Sequence, residues 1–175
     1  TIAVTYKTHQ LLRRPAPRMA DLITDDAEAF AAALPATGAL LGLDPGTKTI
    51  GVAASDPGRR LALPVETLRR AKFRADAESL AAMAAARGCA GLVIGLPINM
   101  DGSEGPRCQA ARAFARNVAA ALTLPVLLWD ERLSTAAVER ELIALDTSRK
   151  RRAETIDAQA AAFILQGALD RLARI

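Results

Sequence analysis

Between residues 39 and 172, short, nearly continuous apolar runs alternate with longer segments whose apolar residues recur every three or four positions. That is the pattern of buried strands joined by helices. Ala39–Asp44 is a short apolar run, Pro45-Gly46-Thr47-Lys48 is a turn and Thr49–Ser55 is a second β-type run, so the three predict a hairpin. Leu61–Leu68 predicts a third strand, and alanine-rich Ala75–Arg87 predicts a helix closed by Gly88. Gly91–Leu96 is apolar throughout, as a strand buried on both faces must be. A long loop then leads to Pro106, a residue suited to the first turn of a helix. Val126–Asp130 predicts another buried strand, with helices near Thr135–Leu145 and Thr155–Leu172. The resulting order predicts an α/β fold with a mixed five-stranded sheet. An antiparallel three-strand meander is followed by parallel βαβ units, with helices on both faces.

Residues 1–37 read as an N-terminal extension to one domain spanning 38–175. Asp25 to Leu34 predicts a short acidic helix, broken by Pro35-Ala36-Thr37-Gly38. Residues 1–18 carry Lys7, Arg13, Arg14 and Arg18, no acid and no clear period. Met19-Ala20-Asp21-Leu22 has the look of a natural start, so residues 1–18 are expected to lie upstream of the true N-terminus, a disordered tail being the other reading.

Composition then removes several chemistries. The 175 residues are 51% hydrophobic and 24% charged, which suits a soluble domain with a real core. No run approaches the ~18 apolar residues a membrane span requires, so a cytoplasmic protein without membrane attachment is expected. Cys89 and Cys108 lack metal-ligand spacing and read as reduced thiols. His9 is the one histidine, which takes Ser-His and Cys-His catalysis and most zinc sites away from the rest of the chain. Carboxylates, lysine, arginine and backbone remain. The net charge of +4 suggests an anionic partner such as nucleic acid.

Three acids stand at the ends of separate elements. Asp44 closes a buried strand just before Gly46, and strand carboxyl ends are where open α/β sheets present ligand groups. Asp130-Glu131 closes another strand; side chains alternate, so one of the two can converge on Asp44 while the other, or Arg132, braces it. Asp157 is placed in the first turn of the last helix, on one stripe with Ala161, Leu165, Ala168 and Leu172. Taken singly, each has an ordinary alternative as a turn, solvated-end or helix-dipole residue. Taken together without histidine, they form a hard-cation donor set suited to Mg²⁺ or Mn²⁺, and two such ions can drive phosphodiester hydrolysis.

The loop Gly95-Leu-Pro-Ile-Asn-Met-Asp-Gly-Ser-Glu-Gly105 lacks a P-loop ending, but Asn99 and Ser103 are placed to touch phosphate, with Asp101 and Glu104 as supporting groups. Arg69, Arg70, Lys72 and Arg74 form one basic cluster, and Arg149, Lys150, Arg151 and Arg152 another just ahead of Asp157. With 3% aromatics, backbone electrostatics rather than base stacking would dominate nucleic-acid binding.

Four segments, Leu43-Asp-Pro-Gly-Thr-Lys-Thr-Ile-Gly-Val-Ala-Ala-Ser-Asp56, the Gly95–Gly105 loop, Asp130-Glu-Arg-Leu-Ser-Thr135 and Ile156-Asp-Ala-Gln-Ala-Ala161, resemble the YqgF/RuvX family in order and register. The resemblance implies a ribonuclease H-like fold and an endonuclease acting at the 5′ end of pre-16S ribosomal RNA, with pre-rRNA or ribosomal particles as partners. It places Asp44, Glu131 and Asp157 as the catalytic, metal-holding acids and leaves Asp130 as a brace. Lys48 and Arg152, with Arg132 and Arg151, then fall to the substrate strand. Holliday junction resolution is the alternative within the family, disfavoured because the strand leading to Gly95 carries no acid. A non-catalytic RNA-binding assembly factor is the alternative outside catalysis. Asp44-Pro45-Gly46-Thr47 also resembles the phosphate loop of actin-like kinases, which require a second such domain.

Overall fold

The computed structural model describes residues 23–133 and 149–175, the backbone alone for 149–155. The helix expected near Thr135–Leu145 and the reading of residues 1–18 lie outside the described residues. In chain order the elements are β1 (Ile23–Thr24), α1 (Ala27–Ala33), β2 (Ala39–Pro45), β3 (Thr49–Ser55) and β4 (Ala62–Arg69). There follow α2 (Phe73–Ala86), β5 (Cys89–Leu96), α3 (Pro106–Leu122), β6 (Val126–Asp130), a 3-10 turn at Glu131–Leu133 and α4 (Arg149–Leu172).

The strands form one sheet in the order β1-β6-β5-β2-β3-β4. The expected meander is present, β2 and β4 each pairing antiparallel to β3, and β5 and β6 continue parallel to β2. The sheet has six strands rather than the expected five. The addition is β1, whose two residues pair parallel to Val126 and Leu127 at the edge. A pair of residues carries no periodicity, so only its tertiary partner defines it.

Period-2 alternation divides the core into two layers. Leu41, Leu43, Val52, Leu92 and Ile94 face α2 and α3, where Leu80, Phe114 and Val118 close over them. Leu40, Ala53, Val93, Leu127 and Trp129 face α1 and α4 and meet Phe30, Ile164, Leu165 and Ala168. Helices therefore cover both faces, as expected. The stripe Ala161, Leu165 and Ala168 is fully buried, which confirms the helical spacing on which Asp157 was placed. The helix itself begins at Arg149, so Asp157 lies more than two turns inside it and not in its first turn. Macrodipole stabilisation, confined to the first turn, does not account for that acid.

Helix α3 starts at Pro106 as expected and stops at Thr123, a left-handed residue with φ 54° and ψ 39° whose N–H donates to the Ala119 carbonyl at 2.9 Å. A β-branched residue is strained there, and the side chain is exposed. Thr123→Gly is expected to raise the free energy of unfolding by about 0.5–1 kcal/mol, net of glycine's backbone entropy. Urea titration reads this directly, and a lowered midpoint would contradict it.

Candidate functional site

Because β2, β5 and β6 run parallel, their carboxyl ends share one edge of the sheet, the edge at which α/β folds bind ligands. Asp44 stands there, half-buried, one step beyond the pairing of Leu43 with Ile94 and opposite Gly51 of β3. Alternation turns it to the α4 face, with Leu40 and Gly42. Its neighbours on either side are glycines, Gly51 on β3 and Gly95 on β5.

Each glycine makes room for another acid. A Cβ built on Gly95 would lie 2.6 Å from Oε1 of Glu131 and 2.7 Å from Cδ1 of Ile164, so the Glu131 carboxylate rests over that glycine on the α4 face. A Cβ on Gly51 would lie 1.9 Å from the backbone oxygen of Asp157, so α4 comes down onto β3 at Asp157 itself. The Asp157 carboxylate is anchored there by the Thr49 hydroxyl, which donates to Oδ2 at 2.7 Å. Asp44, Glu131 and Asp157 thus occupy neighbouring positions on one face at one end of the sheet. Adjacent strands are about 4.8 Å apart, so each glycine stands within one strand spacing of Asp44.

Asp130 is set apart by the same alternation. It faces the α2/α3 side and accepts from Nη2 of Arg132 at 2.7 Å and from Nε and the backbone N–H of Arg132 at 3.0 Å. The Arg132 guanidinium holds the Asp130 carboxyl below the usual carboxylate range and is itself pushed up. A depressed native pKa contributes stability that is present above the unfolded value and lost as pH falls through the native one. Arg132→Gln is therefore expected to let the Asp130 titration climb back toward 3.8. The loss of stability should be small at neutral pH, as for surface pairs, and absent in strong acid. Carboxyl chemical shifts followed through an NMR pH titration check the first part; an unmoved Asp130 would refute it.

Arg132 also reaches the Gly-rich loop, donating from Nη1 to the Asn99 carbonyl at 3.3 Å. Inside that loop the Asn99 amide donates to the Ser103 hydroxyl at 2.9 Å, and Ser103 donates to Asp101 at 2.6 Å. Asn99 and Ser103 thus hold each other and the turn, with Asp101 accepting as the supporting acid expected of it. Glu104 pairs with Arg112 on α3. Lys48 is exposed on the β2–β3 turn. Arg151 and Arg152 fall in the first turn of α4, but their side chains lie outside the described residues.

The donor set at the strand ends consists of carboxylate oxygens, the chemistry preferred by hard divalent cations. Gly51 and Gly95 leave space for it that any larger residue would fill. Among the described residues, however, no three Asp, Glu, His or Cys side chains are gathered as a preformed metal-holding group. Two residues of the site escaped sequence reasoning, Thr49 and Gly51. Glycine inside a β-strand is itself a signal of close backbone approach, and Gly51 carried that signal.

A family model described as "RuvX: Holliday junction resolvase" matches residues 38–171. A protein of Bradyrhizobium sp. strain BTAi1 named "Putative pre-16S rRNA nuclease" is 68% identical over 141 residues, covering 81% of this chain and 88% of its own. One of the same name from Cereibacter sphaeroides strain ATCC 17025 is 63% identical over 151 residues, 86% of this chain and 94% of its own. Among solved structures, Thermus thermophilus RuvC superposes with a TM-score of 0.50 at 15% identity, covering 77% of this chain and 96% of RuvC. That likeness is one of fold, the ribonuclease H-like sheet with its flanking helices.

Proposed function

This chain belongs to the RuvX family, and from that premise we propose that it is a metal-dependent endonuclease hydrolysing phosphodiester bonds in the precursor of 16S ribosomal RNA. The observation that carries the reading is the arrangement around Asp44. Two glycines flank it, and each admits a further carboxylate-bearing residue, Asp157 over Gly51 and Glu131 over Gly95. The names borne by its relatives supply the substrate. Cytoplasmic location follows from that role, and among the described residues no helix is long and apolar enough to cross a membrane.

Asp44, Glu131 and Asp157 would hold the divalent cations, for which Mg²⁺ or Mn²⁺ fits the all-oxygen donors. Bound there, such ions supply an activated water and charge stabilisation for the departing oxygen. The chain's own residues do the positioning. Asp44 sits on the strand between Gly51 and Gly95 and would hold the cations together with the other two acids. Thr49 fixes the Asp157 carboxylate by donating to it. Asp130 and Arg132 pin the turn that carries Glu131 and link it to the Gly-rich loop. Lys48, Arg132, Arg151 and Arg152 offer positive charge to the substrate strand, and Asn99 and Ser103 offer polar contacts once their mutual bonds exchange.

Junction cleavage is retained as a second reading because the matching family model carries that description. Incubating the purified chain with a 5′-extended 16S precursor and with a four-way DNA junction, each with Mn²⁺ or with EDTA, separates the possibilities. Cleavage of the precursor in Mn²⁺ alone is the expected result. Cleavage of the junction alone would transfer the activity to DNA. Binding of the precursor without cleavage in any metal would make the protein an assembly factor.

A further inference from the structure

A second concave surface adjoins the acids from the opposite face of the sheet. It is a cleft of about 440 Å³ between the β2–β3 turn and α3, lined by Gly46 to Thr49, Arg70, Pro97, Arg107 and Ala110. Three cations enter it, Lys48 from the turn, Arg70 from just beyond β4 and Arg107 from the first turn of α3, and among the described residues no acid lines it. Like charges converging on a concave surface repel one another unless an anion joins them.

Arg70 is held in place from two sides. Its Nη1 donates to the Gly46 carbonyl at 3.0 Å, and its guanidinium carbon lies 5.5 Å from the centre of the Phe114 ring. Phe114 is buried and braced edge-on by Phe73 at 6.5 Å, so the platform beneath the guanidinium is rigid. A guanidinium has five N–H donors, and most of those of Arg70 remain available. Among the described residues the side chains of Lys48 and Arg107 make no hydrogen bond and no ion pair. Thr49 joins the two regions, since it lines the cleft and donates to Asp157.

We infer that this cleft is a phosphate subsite, in which Lys48, Arg70 and Arg107 seat a backbone phosphate of the substrate strand next to the one cut at Asp44. The inference rests on the nuclease reading for its substrate and extends it, because it gives the strand a path. The strand crosses the hairpin end from the α3 side to the α4 side, where the acids lie. A volume of 440 Å³ exceeds the roughly 30 Å³ share of one water many times over, which leaves room for a phosphodiester and part of its sugar.

The test is the salt dependence of binding, measured by fluorescence anisotropy on the full chain with a labelled single-stranded RNA of mixed sequence in EDTA. Each single-strand phosphate contact contributes about 0.7 to the slope of log K against log salt. The double variant Lys48→Gln/Arg107→Gln, whose replaced side chains anchor nothing, is expected to lower the slope by about 0.7, the share of one phosphate, and to weaken binding about fivefold at 0.1 M salt. Arg70→Lys keeps the charge but loses the planar fork, and should weaken binding with little change of slope. Arg116→Gln/Arg174→Gln removes the same charge from exposed positions elsewhere and should leave the slope intact. An unchanged slope in the first variant, an equal loss in the control, or no RNA binding by the parent chain would overturn the subsite. Cleavage of the precursor in Mn²⁺ is read separately. Cleavage alongside an unaffected double variant removes the subsite alone, whereas subsite-dependent binding without cleavage removes the nuclease reading alone.

Discussion

Gly51→Ala is expected to be the most damaging single-methyl substitution in the described part of the protein. The added carbon would stand 1.9 Å from the Asp157 carbonyl oxygen and 2.4 Å from its carbonyl carbon, distances no real contact tolerates. The obstacle is helix backbone, which cannot step aside by changing rotamer, so α4 would have to lift from β3. Overpacking typically costs 1–3 kcal/mol and occasionally more, and this contact belongs at or above the top of that range, about 3 kcal/mol. Against a usual total of about 5–15 kcal/mol, such a loss is a large part of the protein's stability. Gly88→Ala provides the contrast. Its φ of +58° imposes backbone strain, but a Cβ there meets nothing within 4 Å, so about 1 kcal/mol is expected. Any Gly51→Ala protein that stays folded would hold Asp157 away from Asp44 and lose cleavage. Urea unfolding of the two variants checks the order; a Gly51→Ala protein as stable as Gly88→Ala would mean that α4 does not seat on β3 as described.

Asp44→Asn is expected to abolish cleavage while sparing the fold. Asparagine has almost the same shape, so the half-buried strand end keeps its packing. What is lost is the anionic oxygen at the centre of the donor set. Metal-ion stabilisation of the transition state is worth several kcal/mol, and each 1.36 kcal/mol is tenfold, so the rate should fall by about 10³-fold or more. The unfolding midpoint should stay close to that of the parent chain. Glu131→Gln and Asp157→Asn should also cut the rate, and a double variant should lose less than the two effects multiplied, since the acids act as one unit. Saturating Mn²⁺ should raise the thermal midpoint of the parent chain and leave that of Asp44→Asn unmoved. Rate retention in the variant would take Asp44 out of the chemistry.

The elements with strong local signals were legible from residues alone. Val126–Asp130 occupies the predicted span because four buried apolar residues in a row ending on an acid have the mark of a strand buried on both faces, and α3 begins at Pro106 because proline suits the first turn. The placement of the acids was legible only in part, since the residues alone left open which of Asp130 and Glu131 faces Asp44 and set Asp157 in a first turn. Alternation along β6 separates Asp130 from Glu131, and the 3.6-residue period places Asp157 in line with Ala161 and Leu165. What stayed hidden depends on which element touches which. The two-residue β1 exists only beside β6. The start of α4 was set too late because the basic cluster Arg149 to Arg152 has no apolar periodicity to mark a helix start. The value of Gly51 emerges only once a helix is laid across it. Of the basic cluster Arg69, Arg70, Lys72 and Arg74, Arg70 alone enters the cleft, a choice made by Phe114, which lies forty-odd residues away in sequence and directly beneath it in space.

The most direct test of carboxylate-held metal hydrolysis uses a 5′-extended 16S precursor in which the mapped scissile nucleotide is replaced by its 2′-deoxy form. The two precursors are cut by the purified chain in Mn²⁺ and in EDTA. Water as nucleophile has no need of the 2′-hydroxyl, so both precursors should be cleaved in Mn²⁺ and neither in EDTA. Cleavage that survives EDTA, or that disappears with the 2′-hydroxyl, would contradict a metal site built on Asp44, Glu131 and Asp157.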